Sequence, residues 1–71
     1  MKPITEKQKA ILDFIIKFKN ENEMPPTYRE IAEGRGVTIK SIWDHVSALA
    51  RKGYISRQDK ISRGLKVLKN D

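Results

Sequence analysis

Three threonines constrain this chain more tightly than any other feature. Thr5 is followed three residues later by Gln8, and Thr27 by Glu30. In each pair the hydroxyl can accept the amide of the third helical residue while that residue's side chain reaches back, so both mark helix starts. Thr38 is a third N-cap candidate. The stops are as clear: Met24-Pro25-Pro26 forces extended backbone, Gly34-Arg35-Gly36 makes a tight turn, and Gly53 ends the last helical stretch. Three short helices follow from this punctuation.

The apolar pattern fits between these marks. Pro3 and Ile4 lead into a first helix whose stripe of Ile11, Leu12, Phe14, Ile15, Ile16 and Phe18 continues to about Asn20. A second helix offers Ile31 and Ala32 as its apolar edge, and Val37 is expected to anchor the following turn to the core. The third helix, capped by Thr38, runs to about Lys52. Ile42, Val46 and Leu49 face inward with Ile39 and Ala50 beside them, and Lys40, Asp44, Ser47 and Arg51 face outward. After Gly53 the period changes from helical to alternating. Residues 54–57 and 64–68 read as two strands joined by a polar, basic loop over 58–63, which is a hairpin with a long tip. No internal repeat or low-complexity tract interrupts this order. The fold class is α+β, three helices followed by a two-stranded hairpin, in a single domain spanning residues 1–71.

Composition narrows the function. With 71 residues, 38% of them hydrophobic, nearly every large apolar side chain must enter one small core, leaving little surface for a deep substrate pocket. Zero cysteines remove disulfide frameworks, thiol nucleophiles and sulfur-ligated zinc. His45, the single histidine, has no partner set for metal binding or catalysis, and no carboxylate pair sits in an apolar setting. An enzyme is therefore not expected, nor a cofactor, a metal or a small-molecule substrate. No apolar run approaches the roughly 18 to 20 residues that span a bilayer, and the N-terminus lacks the apolar segment of a signal peptide. The expected location is the cytoplasm, in association with the nucleoid and without membrane contact.

Charge is divided unevenly. Residues 1–34 carry six basic and six acidic side chains, whereas residues 35–69 carry nine basic side chains against Asp44 and Asp59. The net charge of +6 thus lies in the second half, and a polyanionic partner is implied. Two helices joined by a glycine turn, the second polar on its outer face, match a helix-turn-helix unit whose second helix enters the DNA major groove; the hairpin supplies a wing. The partner expected is double-stranded DNA.

On that reading Lys40, Ser41, Asp44 and Ser47 are base-reading candidates: lysine donates to guanine, serine reaches either edge, and aspartate accepts from cytosine N4. Asp44 can instead tether a neighbouring lysine. Thr27, Tyr28 and Arg29 at the start of the second helix, Thr38 at the start of the third, and Arg51 at its end are phosphate-binding candidates. Arg57, Lys60 and Arg63 flank the hairpin tip, where long cations reach adjacent phosphates or the minor groove, or protect an edge strand. Trp43 lies about 100° from Ile42 on a helical wheel and is expected to pack on the core edge, with stacking or a thymine methyl as the other use. A winged helix can also dock on a protein; Trp43 and Tyr54 would then be exposed anchors and the basic face dispensable. RNA binding lacks the clustered aromatics that stacking needs.

Thr5-Glu6-Lys7-Gln8, Met24-Pro25-Pro26-Thr27, Glu30-Ile31-Ala32, Leu49-Ala50-Arg51-Lys52-Gly53-Tyr54-Ile55 and Ser62-Arg63-Gly64-Leu65 together resemble the N-terminal DNA-binding domain of the LexA family of bacterial SOS repressors. The resemblance runs in order through nearly the whole chain. It implies a winged helix-turn-helix that binds operator DNA and represses transcription. Two places depart from the family pattern. Arg35 stands where such turns carry an apolar core residue, so it loosens the turn or points to a phosphate. The start of the third helix, Thr38 to Asp44, does not match the family's recognition sequence and is one residue shorter, so operator identity does not carry over. The family's self-cleaving, dimerising domain has no counterpart in this sequence, and neither protease activity nor damage sensing is expected of it. One such small domain is expected to be monomeric alone and to pair on a two-fold DNA site.

Overall fold

The computed structural model describes residues 4–58 and 63–68. Helix α1 (Glu6–Asn22) starts where Thr5 Oγ1 accepts the Gln8 amide at 3.1 Å and Gln8 Oε1 accepts the Thr5 amide at 3.1 Å. It ends at Asn22 rather than at about Asn20. The Asn22 side chain donates to the Phe18 carbonyl at 2.9 Å, and Glu23 adopts φ 60°, turning its amide onto the Lys19 carbonyl at 2.7 Å. A left-handed conformation costs a non-glycine residue roughly 1–2 kcal/mol. Glu23→Gly is therefore expected to stabilise the fold by about 1 kcal/mol and raise the thermal midpoint by about 4–8 °C, read by circular dichroism.

Helix α2 (Tyr28–Arg35) repeats the reciprocal cap, with Thr27 and Glu30 bonded both ways at 3.1 and 2.8 Å. Gly34 belongs to this helix and not to the turn after it. A Cβ placed there would overlap the ring edge of Phe14, so the missing side chain is what lets α2 approach α1. Gly36, at φ 70°, is the residue that reverses the chain.

Helix α3 (Ile39–Arg51) opens with Thr38 Oγ1 accepting the Ser41 amide at 3.1 Å. It closes through Gly53 at φ 84°, which returns the Tyr54 amide to the Leu49 carbonyl at 3.0 Å. Strands β1 (Ile55–Ser56) and β2 (Lys66–Val67) then pair antiparallel, Ile55 opposite Val67 and Ser56 opposite Lys66. The regular ladder is shorter than the alternation of residues 54–57 and 64–68 predicts. Single hydrogen bonds extend it at each end, Gln58 to Gly64 at 3.1 Å and Leu68 to Tyr54 at 2.7 Å.

Ile11, Leu12 and Ile15 of α1, Ile31 of α2, and Ile42, Val46 and Leu49 of α3 meet in one core, closed underneath by Tyr54, Ile55 and Leu65. Two apolar expectations are corrected. Val37 does not anchor the turn and Ile39 does not join the inward face; they are 43% and 47% exposed. The core along α3 begins at Ile42, so the helix's first turn projects past the edge of the packing. None of the described helices is long and apolar enough to cross a membrane.

Candidate nucleic-acid interface

The outward face of α3 follows from its inward one. Because Ile42, Val46 and Leu49 are buried, the helical period leaves Lys40, Asp44 and Arg51 in solvent on the far side. None of these three forms an ion pair or hydrogen bond among the described residues. Asp44 is therefore not tethered to a described lysine, which leaves its carboxylate available to a donor such as cytosine N4. Ser41 sits apart from this face. It is half-buried toward α1 and lines a shallow groove of about 160 Å³ with Lys7, Ile11, Arg35, Val37 and His45.

Ser47 joins the helix to the wing. Its hydroxyl accepts from Arg57 Nη1 at 3.0 Å, and the Arg57 guanidinium lies 5.0 Å from the centre of the Trp43 ring. A cation over an indole face is attracted by the ring quadrupole, so both contacts draw Arg57 against α3. Trp43 is 50% exposed and meets Tyr28 of α2 edge-on, centroids 6.2 Å apart. The expectation of a Trp packed on the core edge is thus half met: Tyr28 and Arg57 touch the ring, and half of the residue stays in solvent. With Ile39 one turn earlier it forms an exposed apolar strip beside Lys40 and Ser47. Its i, i+4 relation to Ser47 is the sequence signal that places Trp43 next to the outward face.

The cap of α2 lies at the same junction. Tyr28 is half-buried under Trp43, Arg29 is exposed, and Thr27 and Thr38 both hold their hydroxyl oxygens on helix amides. Each hydroxyl keeps its proton to donate outward. Arg51 stands exposed at the end of α3, and neighbouring Lys52 donates from Nζ to Gln8 Oε1 at 2.6 Å. Lys60 lies outside the described residues.

Arg63 is placed differently from the other cations. It forks onto Glu30, Nη1 to Oε1 at 2.7 Å and Nη2 to Oε2 at 3.0 Å, and Nη1 also donates to the Pro25 carbonyl at 3.0 Å. These hydrogen bonds, followed by the Thr27 amide, hold the Glu30 carboxyl at about 2, well below the usual carboxylate range. Because the folded value lies below the unfolded one, the pair stabilises the fold fully above ordinary carboxylate pH, and that contribution is lost progressively as pH falls from about 4.5 to about 2.

Tyr54, one of the two anchors a protein-docking surface would need, is 1% exposed. It fills the space beneath α3 at the start of the wing, so that reading loses half of its support.

The chain matches the LexA DNA binding domain family over residues 1–64. It is 41% identical to the LexA repressor of Leptospira biflexa serovar Patoc over 71 residues, covering 100% of this chain and 35% of that protein. The LexA repressors of Thermosipho melanesiensis and Myxococcus xanthus are 42% and 41% identical, each over 97% of this chain and 35% and 32% of their own length. The chain thus spans about a third of the length of the curated relatives it matches. The family match over residues 1–64 and 41% identity along the whole chain, on a fold of three capped helices and a short wing, establish that the chain belongs to the LexA DNA-binding domain family.

Proposed function

We propose that residues 1–71 act as one winged-helix unit that binds double-stranded DNA sequence-specifically and serves transcriptional repression. The observation that carries this reading is the junction of α3 with the wing: the exposed face of Lys40 and Asp44 continues through Ser47 into Arg57, which reaches across from β1's end. One face then offers base-reading groups on a helix and cations on a hairpin, the pairing a duplex needs.

In this arrangement α3 lies in the major groove. Lys40, Asp44 and Ser47 read base edges there, with Ser41 at the margin, and the Ile39 and Trp43 strip meets thymine methyls. Arg29, Arg51, Arg57 and Lys60 neutralise phosphates, while Thr27, Tyr28 and Thr38 donate to them from the two helix starts. A single module of this kind covers roughly 600–1,000 Å², so the unit is a monomer alone and works in pairs on a two-fold site. The unit works on DNA at the nucleoid.

Binding selection on random duplexes tests the assignment. Lys40→Ala is expected to relax preference at one base pair, worth about 1–3 kcal/mol there, whereas Arg51→Ala lowers affinity evenly across sequences. Equal behaviour of the two variants would mean that base readers and phosphate holders are not separated as proposed. A wild-type chain that enriches no duplex would overturn the DNA reading itself.

A further inference from the structure

The wing has little pairing of its own. Each strand contributes two residues to the regular ladder, and an isolated two-stranded hairpin is marginal in water. Ile55 and Leu65 seat it in the core beside Tyr54, and two arginines tie its limbs to the helices from outside. Arg57 supplies one attachment, to Ser47 and Trp43 on the outgoing limb. Arg63 supplies the other on the return limb, just before Gly64, and it reaches a different helix.

The Arg63 fork is geometrically complete. Both terminal nitrogens meet both Glu30 oxygens, and the Pro25 carbonyl takes a further bond. Planar bidentate pairing of this kind fixes orientation as well as distance. Glu30 is itself fixed, because its Oε1 accepts the Thr27 amide at 2.8 Å within the cap of α2. The two side chains are 33% and 32% exposed, so solvent screens the pair without opening it. Among the cations of the described residues, Arg29, Lys40 and Arg51 have no such partner.

We propose that Arg63 is a positioning residue and not a phosphate contact: through Glu30 it latches the wing's return limb to the capped start of α2, setting how far the wing stands from α3 when both engage DNA. This rests on the DNA-binding reading above. The rival use, in which Arg63 leaves Glu30 for a phosphate, makes opposite predictions. Removing the Glu30 charge would then free a cation and tighten binding, whereas under the latch it loosens the wing and weakens binding.

The decisive variants are Glu30→Gln, Arg63→Ala and the double mutant, with DNA affinity measured over a range of salt. Glutamine keeps the capping-box acceptor, and thermal unfolding confirms that each variant is folded. The latch predicts an affinity loss of about three- to tenfold in either single variant, the size of a screened bidentate pair. The double mutant should lose no more than the singles, and all should keep the wild-type salt slope. A gain of affinity in Glu30→Gln, additive losses in the double mutant, or a slope shallower by about 0.9 in Arg63→Ala would overturn it. In the free protein, amide signals of Arg57, Leu65 and Val67 should shift in both single variants; unmoved signals would equally sink the latch. That arm needs no DNA, so failure of the latch and failure of the DNA reading remain distinct.

Discussion

Raising monovalent salt from about 50 to about 200 mM is expected to reduce affinity for a cognate duplex by roughly 150-fold. The magnitude follows from counting the cations proposed to meet phosphates, each of which displaces counterions from the duplex. Arg29, Arg51, Arg57 and Lys60, the proposed phosphate contacts, give roughly four charges, hence a log–log slope of about −3.6. Arg63 is left out because its charge is already answered by Glu30. Fluorescence anisotropy of a labelled duplex measures this slope directly. A value shallower than about −2 would favour docking on a protein over docking on DNA, since rim charges at protein interfaces contribute weakly and few at a time.

Tyr54→Ala is expected to remove roughly half of the fold's stability. At 1% exposure the ring is completely enclosed, and truncating a buried aromatic costs about 3–5 kcal/mol through lost burial and the cavity left behind. A chain of 71 residues has only about 4–10 kcal/mol in total at ordinary stability per residue. The loss is concentrated where it matters most, because Tyr54 joins the end of α3 to the wing through its amide and carbonyl as well as its ring. Thermal unfolding followed by circular dichroism should show a midpoint lowered by more than about 12 °C. Trp43→Ala, at half exposure, should leave the transition nearly in place while weakening DNA binding. A Tyr54→Ala chain that unfolds like the wild type would mean that the wing folds independently of the helical core.

The helices were legible because their signals are local. Thr5, Thr27 and Thr38 act on amides three residues away, and Gly36 and Gly53 act on their own backbone angles, so reading them needs no knowledge of the partner helices. Burial was harder to read where a local pattern outruns the core. Ile39 has the spacing of an inward residue, but its turn of α3 extends past what α1 and α2 can cover. The interface was legible as a charge imbalance and only partly as a site. Nothing in the spacing of Arg63 and Glu30, 33 residues apart, foretells that they pair, and the same holds for Arg57 and Ser47. Long flexible cations look alike in sequence, and only tertiary proximity separates those already engaged from those in solvent.

The bare α-carbon of Gly34 has a consequence of its own. Because the ring of Phe14 occupies the volume that a methyl group at position 34 would require, these two positions constitute a single steric unit spread across two helices. A descendant of this sequence that acquires alanine at 34 must trim the aromatic at 14, or else prise the pair of helices apart and shift the downstream turn along with everything it aims.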